Sequence, residues 1–167
     1  MSFLKIQNLD ISYKTRKETI IASQNVSFTL EKGEILGVVG ESGSGKSTIA
    51  NAIINQIDPP GEITQGSIQL EDAELCNNEK LIQKFRGKKI GFIFQDPQTS
   101  LNPLFTIKEQ LVETIQAHLK LSDHDATQKV IQLLKEVGIS DAEKRINDYP
   151  HQFSGGMRQR VVIALSI

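Results

Sequence analysis

A short apolar run, Ile35-Leu36-Gly37-Val38-Val39, leads directly into Gly40-Glu41-Ser42-Gly43-Ser44-Gly45-Lys46-Ser47. No other stretch constrains the fold as tightly. The residues from Gly40 to Ser47 match GxxxxGK[ST], a pattern that carries its chemistry only between a buried strand and a helix. The run before it has the character of a parallel strand covered on both faces. After it, Ile49, Ile53, Ile54 and Ile57 fall at helical spacing. The expected unit is strand, loop and helix, with Ser47 to Ile57 as the helix and Asp58-Pro59-Pro60-Gly61 as its stop.

The residue types say what such a loop holds. A chain of phosphates carries several negative charges, so the backbone from Gly40 through Glu41, Ser42, Gly43, Ser44 and Gly45 must turn its N–H groups inward and let the ligand come close. Lys46 opens a helix whose positive end adds to the attraction. Its ammonium would meet the β and γ phosphates, the Ser47 hydroxyl would complete a Mg²⁺ bridging the same groups, and Thr48 would support the α phosphate.

Around this unit the chain is strand-rich first and helical later. Leu9, Ile11 and Tyr13 alternate with Asp10 and Ser12, and a second alternating stretch runs from Val26 to Leu30, which suggests antiparallel strands joined through the turn-forming Glu31-Lys32-Gly33-Glu34 to the apolar run. Gly66 to Leu70 and Ile90 to Phe94 read as further strands, with a short polar helix at Lys80 to Phe85 between them. From Ile107 the period changes: Ile107, Leu111, Ile115 and Leu119 form one stripe, and Ala126, Val130, Leu134 and Val137 a second, both suited to packing inside the domain.

At 167 residues, 38% hydrophobic and 23% charged, the chain has the composition of one globular domain. Its formal net charge of −1 offers no bulk attraction to nucleic acid or to an anionic membrane. The lone Cys76 excludes an internal disulfide, and His118, His124 and His151 have no metal-ligand spacing. No stretch approaches the ~20 apolar residues of a membrane span, and the N-terminus has no secretory pattern, so the expectation is a cytoplasmic protein that reaches a membrane only through a partner.

A second glycine-containing segment narrows the field. Phe153-Ser154-Gly155-Gly156-Met157-Arg158-Gln159-Arg160 precedes an apolar helix from Val161. Chemically, Ser154, Gly155 and Gly156 read either as another anion-binding helix start or as an ordinary helix cap. The segment resembles the LSGGQ signature of ABC ATPases, from which Phe153 and Met157 depart. Phe94-Gln95-Asp96-Pro97-Gln98-Thr99-Ser100-Leu101-Asn102-Pro103 and Tyr149-Pro150-His151-Gln152, which leads into that signature, are similar to the dipeptide, oligopeptide and nickel importer group of that family.

The resemblance implies an α/β fold of the P-loop NTPase type: a parallel sheet, an N-terminal antiparallel β subdomain and a helical subdomain. It treats residues 1–167 as one incomplete ATP-binding domain, with 1–95 the nucleotide-binding core and 96–167 the Q-loop, helical subdomain and signature. It implies ATP and Mg²⁺ as ligands, Tyr13 stacking on adenine, and Gln95 reaching the metal and the attacking water. Ser154, Gly155, Gly156 and Met157 would cover the γ phosphate held by a second ATPase domain, head to tail. Transmembrane permeases and, indirectly, a solute-binding protein follow as partners, at the cytoplasmic face of the membrane and with no nucleic acid. Family members continue into a Walker B strand and a switch histidine, neither of which occurs in these residues, so slow or no turnover is expected, together with exposed apolar surface and low stability. The remaining alternatives are a nucleotide-binding module without turnover and a non-transport ABC ATPase, although no long heptad run separates Ser47 from Ser154.

Overall fold

The alternating residues near the N-terminus form two long strands, β1 (Leu4–Lys14) and β2 (Thr19–Leu30), paired antiparallel. The computed structural model describes residues 2–96 and 100–167, and the chain divides into two compact units, Met1–Arg86 and Gly87–Ile167.

In the first unit β1 is flanked on its other side by β3 (Gly61–Leu70), which pairs in turn with the short β4 (Ala73–Glu74), giving the order β2-β1-β3-β4. Leu4 and Ile6 point into the core, and so do Leu9 and Ile11, one residue out of phase. A register shift between Ile6 and Leu9 accounts for the change, since an extra residue moves every later side chain to the opposite face. Asn8, at φ 46°, occupies the irregularity, and its amide bonds to the Ser27 hydroxyl at 2.8 Å. Two helices belong to this unit, α1 (Lys46–Ile53) and α2 (Glu79–Phe85), and Ile49, Ala52 and Ile82 join the core beside Ile68 and Leu70. Cys76 lies half-buried beyond β4, and burial, with the Glu74 carboxylate beside it, pushes its thiol up to about 11.

The second unit is helical. α3 (Ile107–His118) starts at a reciprocal cap in which the Thr106 hydroxyl accepts from the Glu109 amide and the Glu109 carboxylate accepts from the Thr106 amide. α4 (Asp123–Glu136) starts at Ser122, whose hydroxyl accepts from the Asp125 amide. After α5 (Ala142–Arg145) and a 3-10 turn (Pro150–Gln152) comes α6 (Gly155–Ser166). Ile107, Leu111, Val130, Leu134, Phe153 and Val161 are among the residues that fill the core between these helices. Both expected stripes thus face inward, except Leu119, which caps α3 and stays 44% exposed.

The expected parallel sheet is overturned. Every pairing in the four-stranded sheet is antiparallel. Ile35 to Val39 adopts no regular structure, and Ile35 and Val39 are 97% and 93% exposed. Ile90 to Phe94 likewise forms no strand beyond an isolated bridge residue at Ile90, and Ile93 and Phe94 are about half exposed. The physical reason is that apolarity selects the kind of environment a run prefers, while a strand exists only where a neighbour supplies ladder hydrogen bonds. Among the described residues neither run has such a neighbour. The helix expected from Ser47 to Ile57 also stops early, at Ile53, with Asn55 turning to φ 51°.

Candidate functional site

The loop from Gly40 to Lys46 is held by its glycines and by β2. Gly43 and Gly45 take φ of 82° and 86°, in the left-handed region that favours glycine. At Gly45 a side chain would also collide with the Ala22 carbonyl of β2, so only glycine lets the loop lie against that strand. The Ser44 amide closes a turn onto the Glu41 carbonyl at 3.2 Å. α1 then begins at Gly45, with no side-chain cap and no acidic residue in its first turn. Its first N–H groups and the positive end of its dipole therefore meet no competing anion from their own helix.

Lys46 turns back over the loop. Its ammonium donates to the Gly40 carbonyl at 2.9 Å, the Glu41 carbonyl at 2.6 Å and the Ser44 hydroxyl at 3.2 Å. All three N–H donors of the ammonium are thus committed to oxygens of the loop itself. Ser47 is exposed and Thr48 half-buried on the first turn of the helix. Such an assembly of an uncapped helix start, a folded lysine and a free hydroxyl is chemically suited to a phosphate chain with a hard cation. No group of three or more acidic, histidine or cysteine side chains among the described residues could hold a metal alone.

Tyr13 is the penultimate residue of β1, where it pairs with Ile20 of β2 and Gly61 of β3. Gly61 leaves just enough room for the ring, because a Cβ there would stand 2.6 Å from Tyr13 Cε1. β2 thus carries both the ladder partner of Tyr13 and the carbonyl that touches Gly45. Ser23, next along β2, is 8% exposed, and its hydroxyl has no hydrogen-bond partner among the described residues.

Two features of this region have no sequence motif. Arg86 donates to the Ile54 carbonyl from Nε at 3.0 Å and from Nη2 at 2.7 Å, at the C-terminal end of α1. Glu79 holds that guanidinium at 3.1 Å and accepts from Asn55 Nδ2 at 2.5 Å, and the Asn55 amide, with Arg86 adding to it, holds the Glu79 carboxyl below the usual range. Neither residue belongs to a recognisable spacing.

Gln95 and the serine-glycine corner belong to the second unit. Gln95 sits exposed in a bend after the irregular segment 90–94, and residues 97–99 of the stretch from Phe94 to Pro103 lie outside the described residues. That segment runs against the end of α6: the Ser166 hydroxyl donates to the Phe92 carbonyl at 3.0 Å, and a side chain on Gly91 would strike the Ser166 carbonyl. Ser154 caps α6, its hydroxyl accepting from the Met157 amide at 3.3 Å. Gly155 and Gly156 are exposed with open space where a Cβ would stand, while Phe153 is buried and Met157 leans on the core. The corner is thus a helix cap with a bare, open first turn and no acidic residue in it.

The family described as ABC transporter matches residues 23–167. The chain belongs to the ABC transporter family. Among relatives of this ABC transporter chain, the oligopeptide transport ATP-binding protein OppD of Bacillus subtilis is 48% identical over 166 residues, 98% of this chain and 46% of its own length. The dipeptide transport ATP-binding protein DppD of the same organism is 44% identical, over 98% of this chain and 50% of its own. This ABC transporter chain therefore spans about half the length of the curated relatives it matches. A solved dimeric ATP-binding cassette in a post-hydrolysis state, bound to ADP and Pi, superposes with a TM-score of 0.85 at 30% identity, covering 98% of this chain and 68% of its own. Among the described residues no helix is long and apolar enough to cross a membrane.

Proposed function

We propose that this chain is the ATP-binding part of an importer ATPase, coupling ATP binding and hydrolysis to uptake of peptides or a related solute such as nickel. The observation that carries the reading is the Lys46 ammonium folded over a bend whose helix start is uncapped, on a chain 48% identical to an oligopeptide transport ATP-binding protein.

In this reading the loop from Gly40 through Glu41, Ser42, Gly43, Ser44 and Gly45 surrounds the phosphates, Lys46 neutralises the β and γ groups, and Thr48 supports the α phosphate. Bound ATP brings Mg²⁺, which Ser47 and Gln95 would hold. Tyr13 offers its ring to adenine. Ser154, Gly155, Gly156 and Met157 face the γ phosphate of a second ATPase domain, and the similarity to a dimeric cassette supports that pairing. Transmembrane permeases and, through them, a solute-binding protein complete the assembly at the cytoplasmic face of the membrane. Lys46 removes its three bonds from the loop and gives them to phosphate oxygens, an exchange that keeps every donor satisfied.

Lys46→Ala tests the reading directly. The expected outcome in a titration with MgATP is a loss of affinity of about a hundredfold, from the charge-assisted bonds removed, with the circular dichroism spectrum unchanged. Equal affinity in the two proteins would sink the assignment.

A further inference from the structure

We infer that Arg86 is a positioning residue for the phosphate-binding helix, holding α1 from its C-terminal end so that its N-terminal amides stay aimed at the phosphates. This rests on the phosphate reading of the loop.

α1 spans only Lys46–Ile53, and an isolated helix of this length does not persist in water. Something must fix it at both ends. At its start Gly45 lies against the Ala22 carbonyl, and the first turn must keep its N–H groups uncommitted if it is to receive an anion. The burden of anchoring therefore falls on the other end, where the last carbonyls are equally orphaned. Arg86 meets them. Its Nε and Nη2 both donate to the Ile54 carbonyl, and Nη2 also reaches the Asn55 carbonyl at 3.2 Å.

The guanidinium is itself held. Glu79 Oε1 accepts from Nη1 at 3.1 Å, while its other oxygen accepts from the Asn55 side chain, closing a ring through the residue that follows the helix cap. Glu79 opens α2 behind the Asn78 cap, and Gln83 donates to it at 3.2 Å one turn on. A cation at a helix C-terminus favours the dipole in the same sense as an anion at the N-terminus. Arginine suits the place because its planar fork offers several donors in fixed directions, where lysine offers one point of charge.

The test uses the whole chain with MgATP, adenosine and amide hydrogen exchange as probes. Arg86→Ala should weaken MgATP about three- to tenfold, a charge-assisted pair lost at the edge of a site, leave adenosine binding unchanged, and speed exchange in α1 before any ligand is added. Arg86→Lys should recover part of the loss. Glu79→Gln, which frees the guanidinium while keeping the fold, should move the same readouts less and serves if Arg86→Ala does not fold. Wild-type protein that binds MgATP in a Lys46-dependent way while Arg86→Ala and Glu79→Gln bind it equally well overturns the inference alone. Wild-type protein that does not bind MgATP overturns the phosphate reading and this inference with it. A loss shared equally by adenosine also overturns it, since a general loss of structure would then suffice.

Discussion

Glycines in this chain differ sharply in what they permit. At Gly45 the backbone sits at φ 86° and a methyl group would run into the Ala22 carbonyl, so Gly45→Ala should cost about 1–3 kcal/mol in urea unfolding, through strain and collision together. Gly155 and Gly156 face open space, and Gly155→Ala should stay within about 0.5 kcal/mol of the parent. Sequence spacing located the glycine-dependent bend before α1 because a local backbone path demands those residues in that order. Arg86 was invisible for the opposite reason. Its partner, the Ile54 carbonyl, is a backbone atom distant in sequence, and no spacing rule encodes a contact made only when α1 ends beside α2.

At the scale of elements, helices were more legible than strands. A helix closes its own hydrogen bonds, so apolar stripes sufficed for α3 and α4, whose caps at Thr106 and Ser122 emerged only with the structure, while Ser154 was legible as a possible cap of α6. Thr106→Ala should cost about 1 kcal/mol in thermal or urea unfolding at neutral pH. Glu109 is held below its ordinary value of 4.5, first by the Thr106 amide and then by the Thr106 hydroxyl. Because the folded pKa is the lower one, this contribution is complete above pH 4.5 and disappears as pH falls through the folded value. The gap between the Thr106→Ala and parent unfolding curves should therefore narrow on acidification by the share that the Thr106 hydroxyl gives to the carboxylate, and the neutral cap bond from the Glu109 amide keeps the rest of it open. Strands depend on a neighbour, which is why Ile35 to Val39 and Ile90 to Phe94 could be judged apolar but not judged paired.

Each unit has a core of its own, one built on β1 and β3, the other between α3, α4, α5, α6 and the 3-10 turn of the second unit. Among the exposed large hydrophobic residues, Ile35, Leu36, Val38 and Val39 form a continuous apolar stretch leading into the loop. The native protein should bind the dye ANS, and Ile35→Glu with Val39→Glu should reduce that fluorescence while leaving the melting temperature in place. Undiminished fluorescence would put the dye elsewhere. The same exposure affects the loop's grip on a ligand. From its far side the bend is tethered through Gly45 and α1, whereas residues 31–40 reach it through solvent-exposed chain outside any ladder. On the proposed function, capture of a triphosphate would freeze backbone torsions that a two-sided mounting would have frozen beforehand, so its association should carry an unfavourable entropy that shrinks as soon as the approaching chain is pinned.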